Sequence, residues 1–133
     1  MFKSFAAGFL VCAILAPAWA DDSVPQIEEI MKKVNSKKAG LQFKLVEGVK
    51  ASDPKWDDMG KQAKDYKKLI DFLAKNNPPK GDKSSWETMT KKYSEGAAKV
   101  EEAVSKKDKD GTTKALESMN KMCGSCHKAH KPD

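Results

Sequence analysis

The sequence predicts an all-α fold, an antiparallel up-down-up-down bundle of four helices joined by short connections. Apolar residues recur three and four positions apart in four stretches of roughly twenty residues each, which is the spacing of one face of a helix. Proline and glycine separate the stretches, and no run shows the alternation of apolar and polar residues that is typical of a strand. Consecutive amphipathic helices with short connections pack antiparallel, which gives the bundle.

The first predicted helix begins near Ser23, a candidate N-cap followed by Pro25, and ends near Gly48. Lys37 and Lys38 interrupt its apolar stripe where an aliphatic residue would continue it. The stripe consists of Ile27, Ile30, Met31, Val34, Leu41 and Leu45.

The second predicted helix starts at Asp53-Pro54 and ends at Asn76-Asn77-Pro78-Pro79. Proline lacks an amide donor and disfavours helix in the preceding residue, so the two consecutive prolines mark a clear end. The apolar stripe of this helix is Trp56, Met59, Ala63, Tyr66, Ile70 and Leu73.

The third and fourth predicted helices have their own start signals. Ser84 or Ser85 is the expected cap of the third helix, and Asp110-Gly111 is the expected turn and cap before the fourth. The third stripe is Trp86, Met89, Tyr93, Ala97, Val100 and Val104. The fourth stripe is Ala115, Leu116, Met119, Met122, Cys123, Cys126 and His127.

The first 20 residues have the pattern of a secretory signal peptide. Lys3 precedes an apolar run from Phe5 to Pro17, and Ala18-Trp19-Ala20 provides a small-x-small cleavage site. Cys12 lies within this apolar run and leaves with the leader. We therefore expect residues 1–20 to be removed near Ala20 and residues 21–133 to form one domain that is periplasmic or otherwise exported. The apolar run of the leader is too short to span a bilayer comfortably and no second run follows, so no stable membrane insertion is expected.

The mature chain is basic, and all of its cationic side chains are lysines. Outside the leader, 24 lysines stand against 19 acidic residues, a net charge of +5 with neutral histidines. The sequence has no arginine and no groove-reading motif, so nucleic acid is not the expected partner. A surface rich in lysine favours association with an acidic protein.

The most specific motif is Cys123-Gly124-Ser125-Cys126-His127, close to the end of the chain. It is the C-x-x-C-H pattern of covalent c-type haem attachment, in which both sulfurs form thioethers and the imidazole is an axial iron ligand. On a helix, Cys123, Cys126 and His127 occupy positions i, i+3 and i+4, so they project from one face. One covalent haem c is therefore the expected cofactor.

Other uses of two cysteines are less consistent with the sequence. A thioredoxin-like redox pair requires a βαβ context, and a zinc site requires four ligands, whereas the mature chain has two cysteines and two histidines, all within residues 123–130. A disulfide between Cys123 and Cys126 leaves His127 unexplained. His130 follows three residues after His127 on the same helix, cannot reach the opposite haem face, and is expected at the surface. Catalysis is thus not indicated.

Taken together, the leader, the four helices and the C-terminal C-x-x-C-H motif resemble a class II c-type cytochrome, the group that contains cytochrome c′ and its low-spin, methionine-ligated relatives. Met31-Lys32, followed by Leu41, resembles the ligand-bearing segment of the low-spin members. Trp86 resembles a recurrent aromatic residue of the haem pocket, and Lys131 stands where family members often have arginine.

The resemblance implies one-electron transfer between exported redox proteins, with His127 and Met31 as axial ligands of the haem iron. Met59, Met89, Met119 and Met122 are the alternative methionines, although the last two share the helix of His127. The family also includes homodimers. Two other functions remain open: a five-coordinate, nitric oxide-binding protein of the cytochrome c′ type, and a structural or metal-binding helical bundle without haem.

Overall fold

The computed structural model of the protein describes residues 23–133, which form five α-helices and contain no strand. The helices are α1 (Ile27–Asn35), α2 (Leu41–Lys50), α3 (Trp56–Leu73), α4 (Lys83–Ser105) and α5 (Lys109–His130). The all-α prediction is therefore confirmed for this part of the chain. The predicted leader and its cleavage site lie outside the described residues.

The predicted first helix is wrong in one respect, because it is two helices with a break between Asn35 and Leu41. The break contains the two lysines that interrupt the apolar stripe, and Lys38 has a left-handed backbone with φ of 65°. Gly40 closes the break, where a Cβ atom would lie 2.6 Å from the carbonyl oxygen of Val34. Only glycine permits this close approach without displacing the backbone.

Aspartates cap α4 and α5, so the predicted caps are displaced by a few residues. The carboxylate of Asp82 accepts a hydrogen bond from the amide of Ser85 at 3.0 Å, and Asp108 accepts one from the amide of Gly111 at 2.9 Å. Both are N-cap interactions, which satisfy an amide of the first turn. The predicted serine therefore contributes its backbone amide and does not act as the cap.

Each helix packs against its neighbours along the chain. Helix α3 contacts α4, α4 contacts α5, and α2 contacts both α3 and α5. Helix α1 contacts α2 and α3, but it does not pack against α5. This separation of α1 from α5 leaves space between the first and the last described helices.

With the exception of Val49, the predicted apolar stripes supply the core. Its fully buried members are Ile30, Val34, Leu45, Val49, Met59, Ala63, Tyr66, Ile70, Leu73, Trp86, Ala97, Val100, Val104, Leu116 and Met119. Among the stripe residues that are only partly buried and pack against this core are Met31, Tyr93, Met122 and Cys126. These four line a single cavity, described below. None of the helices among residues 23–133 is long and apolar enough to cross a membrane.

Candidate functional site

A cavity of about 740 Å³ lies between α1, α4, the end of α3 and the last turns of α5. This volume falls within the roughly 300–1,000 Å³ of small-molecule and cofactor sites. Five residues singled out in the sequence line it: Met31 of α1, Trp86 of α4, and Cys123, Cys126 and His127 of α5. The fold thus brings together residues that are up to 96 positions apart in the chain.

The C-x-x-C-H motif lies on the last two turns of α5, as its predicted helical conformation requires. Both thiols are half-buried and unpaired, and His127 is exposed. Burial raises the pKa of the Cys123 and Cys126 thiols. Redox-active cysteine pairs of the thioredoxin type have a lowered thiol pKa instead, so this environment does not favour that chemistry.

Met31 lines the cavity from α1, which does not pack against α5. The side-chain amide of Asn35 donates a hydrogen bond to the Met31 sulfur at 3.5 Å. Met59 and Met119 are buried in the core, whereas Met89 and Met122 line the same cavity as Met31.

Trp86 closes the cavity beside the start of α4 and is 4% exposed. Its indole N–H donates to the carbonyl oxygen of Asn76 at 2.8 Å, so the ring is fixed against the connection between α3 and α4. Lys131, which follows α5, lines the cavity as well. Leu41, the other residue of the resembled segment, begins α2 and does not line it.

His130 is not a surface residue, contrary to the prediction, since only 2% of it is exposed. Its Nδ1 atom lies 2.8 Å from the carbonyl oxygen of Lys80, and its Nε2 atom lies 3.2 Å from the hydroxyl of Ser85. A carbonyl only accepts, so Nδ1 carries the proton, and in the neutral ring Nε2 accepts from Ser85. The spacing of four residues from Cys126 places His130 on the cavity side of α5, a signal that the sequence did contain.

Tyr93 is a site residue that the apolar spacing predicts only as a core residue. It lines the cavity, and its hydroxyl oxygen is buried without a hydrogen-bond partner among residues 23–133. Burial raises the pKa of Tyr93 to about 12, and it raises the pKa of the neighbouring Tyr66 further. Both phenols are therefore neutral at physiological pH. Tyr66 differs in having a partner, because its hydroxyl donates to Gln42 Oε1 at 2.9 Å.

A second cavity, of about 600 Å³, lies between α2 and the middle of α5. It shares Asn35, Cys123 and His127 with the first cavity, so the motif on α5 borders both. Phe43, which is 42% exposed, forms part of its wall. No group of three or more histidine, cysteine or acidic side chains within residues 23–133 is arranged to hold a metal ion.

Comparison of the chain with protein families, curated proteins and solved structures finds no match.

Proposed function

We propose that the protein is an exported monohaem c-type cytochrome that carries one electron between redox partners. The observation that supports this most directly is the composition of the 740 Å³ cavity. Two thiols and an imidazole on α5 line the same cavity as a thioether on α1, and these two helices do not pack against each other. These are the side chains that attach a c-type haem and complete its axial coordination.

The residues of the cavity fit a haem chemically. Cys123 and Cys126 would hold the porphyrin edge, His127 would provide one axial ligand, and Met31 would provide the other. The buried face of Trp86 contributes an apolar wall that excludes water. When bound, haem supplies the one-electron exchange between Fe(II) and Fe(III), while burial and ligation by the chain adjust its potential.

The proposed scaffold is an up-down-up-down bundle of four helical positions, with α1 and α2 together occupying the first. Residue pairs between neighbouring helices support it. Gln42 near the start of α2 bonds to Tyr66 in the second half of α3. Gly48, later in α2, lies beside Met59 near the start of α3. The two helices therefore run in opposite directions, as the bundle requires.

An acidic redox protein is the partner that the charge of the chain favours. Lys32, Lys33, Lys37 and Lys38 are exposed on α1 and in the following break, near the wall of the cavity that carries Met31. Lysines on a surface accelerate encounter with an acidic partner, and salt screens the effect. Electron exchange with an acidic partner should accordingly slow as ionic strength increases.

The experiment that tests the assignment is expression of the full chain in a host with periplasmic haem-attachment machinery. The intact mass should equal residues 21–133 plus one haem, and absorption spectra of both oxidation states should be those of a c-type haem. The matched control replaces both cysteines, Cys123→Ser with Cys126→Ser, and should have the mass of the bare polypeptide. A bare polypeptide mass for the unaltered chain would contradict the proposal.

A second candidate function is favoured by the unpaired hydroxyl of Tyr93 in the same cavity. In a five-coordinate haem protein, such a donor would stabilise a bound diatomic gas such as nitric oxide. The spin state of the ferric protein distinguishes the candidates. A low-spin spectrum supports the electron carrier, and a high-spin spectrum with ready gas binding supports the gas-binding protein.

A further inference from the structure

We propose that Asn35 is a positioning residue, whose side-chain amide holds the Met31 sulfur in the orientation required for binding iron. The inference rests on the proposed function, because it gives Met31 the axial role. It adds a residue that the C-x-x-C-H motif does not involve and that the apolar stripes do not include.

The geometry is local and specific. Asn35 is the last residue of α1 and follows Met31 by four positions, so both side chains lie on the same side of the final turn. The distance from Asn35 Nδ2 to the Met31 sulfur is 3.5 Å. A thioether sulfur is a weak acceptor with two lone pairs. One lone pair can accept from the amide while the other remains available to a metal.

Met31 needs such a restraint because of its position and its chemistry. Methionine has three rotatable side-chain bonds and adapts to irregular space. Met31 is only half-buried, and α1 ends four residues later at the break before α2. Packing alone therefore limits its rotamers less than it limits those of a core methionine such as Met119, which is fully buried.

Asn35 is also close to the phenol of Tyr93. Asn35 and Tyr93 both line the cavity, and Asn35 lies near the Tyr93 hydroxyl, where it partly offsets the effect of burial on the pKa of Tyr93. The Asn35 amide thus acts on the Met31 thioether and influences the Tyr93 phenol. A donor on the sulfur withdraws electron density from it, which disfavours the ferric state and raises the reduction potential.

The test is Asn35→Leu in the haem-loaded protein, with the carbon monoxide affinity of the ferrous state and the reduction potential as readouts. Loss of the restraint should raise the affinity roughly threefold to tenfold, as expected for one hydrogen bond. The potential should fall. The matched control is Asn120→Leu, an exposed asparagine on α5 that borders the second cavity but not the first. It should change neither readout.

A double-mutant cycle establishes whether Asn35 acts through Met31. In a Met31→Ala background, Asn35→Leu should have no further effect on carbon monoxide affinity. An equal effect in both backgrounds would overturn the inference, since Asn35 would then act on the cavity directly. Should Asn35→Leu fail to load haem, Asn35→Asp provides the same measurement, because it keeps the shape and removes the donor.

The failure of the inference differs from the failure of the proposed function. If Met31→Ala raises the carbon monoxide affinity and both Asn35 variants leave it unchanged, the positioning role of Asn35 is wrong. The proposed electron-carrier function is not contradicted by that result. If Met31→Ala itself changes neither the spin state nor the affinity, the axial role of Met31 is wrong and the positioning role falls with it.

Discussion

The imidazole of His130 stands edge-on to the indole of Trp86, with ring centroids 5.3 Å apart and an interplanar angle of 80°. This T-shaped pair joins the last residue of α5 to the first turn of α4. Both rings are also fixed to the connection between α3 and α4. Trp86 bonds to Asn76, and His130 bonds to Lys80. The end of the helix that bears the C-x-x-C-H motif is thereby held by the Trp86 ring and by the carbonyl oxygen of Lys80.

We expect His130→Ala to destabilise the protein by about 2–4 kcal/mol, because it removes a buried ring and leaves the Lys80 carbonyl without this donor. Chemical denaturation of the haem-loaded protein measures the change. The control is Lys128→Ala, an exposed residue on the same turn, for which a change within about 0.5 kcal/mol is expected. Equal effects of the two substitutions would show that His130 does not anchor α5.

Gly81 is predicted to tolerate no side chain. Its φ is +82°, and a Cβ atom would lie 2.5 Å from the carbonyl oxygen of Ala129 and 3.1 Å from His130 Nδ1. Gly81→Ala should therefore lower the thermal midpoint. Gly60→Ala is the matched control, since Gly60 lies within α3 with no heavy atom near the added methyl group. There alanine should stabilise by about 0.5–1 kcal/mol through helix propensity. A lower midpoint for Gly60→Ala would contradict this account.

Met31→Ala should convert the ferric haem protein from low-spin to high-spin and open the iron to carbon monoxide. The physical reason is that alanine removes the thioether that α1 contributes to the cavity lined by Cys123 and Cys126. Absorption spectroscopy measures the change, with Met89→Ala as the control because Met89 lines the same cavity from α4. If Met89→Ala produces the high-spin spectrum and Met31→Ala does not, the assignment of the axial methionine passes to Met89.

The stability of the protein should fall as pH rises above 10. The folded state keeps the Tyr93 phenol protonated with a pKa of about 12, whereas the unfolded chain loses that proton near the ordinary value of 10.0. Between these two pKa values the folded state binds more protons than the unfolded state. The contribution of Tyr93 to the free energy of unfolding is therefore complete below pH 10 and is lost between pH 10 and 12. Each pKa unit corresponds to about 1.4 kcal/mol.

Tyr93→Phe isolates this effect from the titration of the many lysines. The variant should lose less stability between pH 10 and 12 than the unaltered protein, as measured by urea denaturation at each pH. It should also be no less stable at pH 7, because the hydroxyl that it removes has no partner among the described residues. Parallel pH profiles for both proteins would rule out Tyr93 as the responsible group.

The helical periodicity predicted most of the core, and the motif predicted which face of α5 borders the cavity. Both are local properties, because residues three or four apart share a helix face whatever the rest of the chain does. The hydrogen-bond partners of His130 are distant in sequence, since Ser85 and Lys80 precede it by 45 and 50 residues. Its burial depends on how the connection between α3 and α4 passes the end of α5, which a single sequence does not specify.

Lys37 and Lys38 indicate the break between α1 and α2, but the apolar spacing alone predicts one helix with an interrupted stripe. A continuous helix would satisfy the same apolar spacing on either side. The left-handed backbone of Lys38 and the close approach of Gly40 to the Val34 carbonyl divide this stretch into two helices. The unpaired Tyr93 hydroxyl was equally unpredictable, since periodicity places the ring in the interior without specifying what its oxygen contacts.

The nine residues of α1 form a helix too short to be stable alone in water, so its order depends on docking against α2 and α3. The break gives α1 and α2 separate contacts with the bundle, since α1 packs on α3 whereas α2 packs on both α3 and α5. The wall of the cavity that carries Met31 therefore owes its order to packing against neighbouring helices and not to the intrinsic stability of α1.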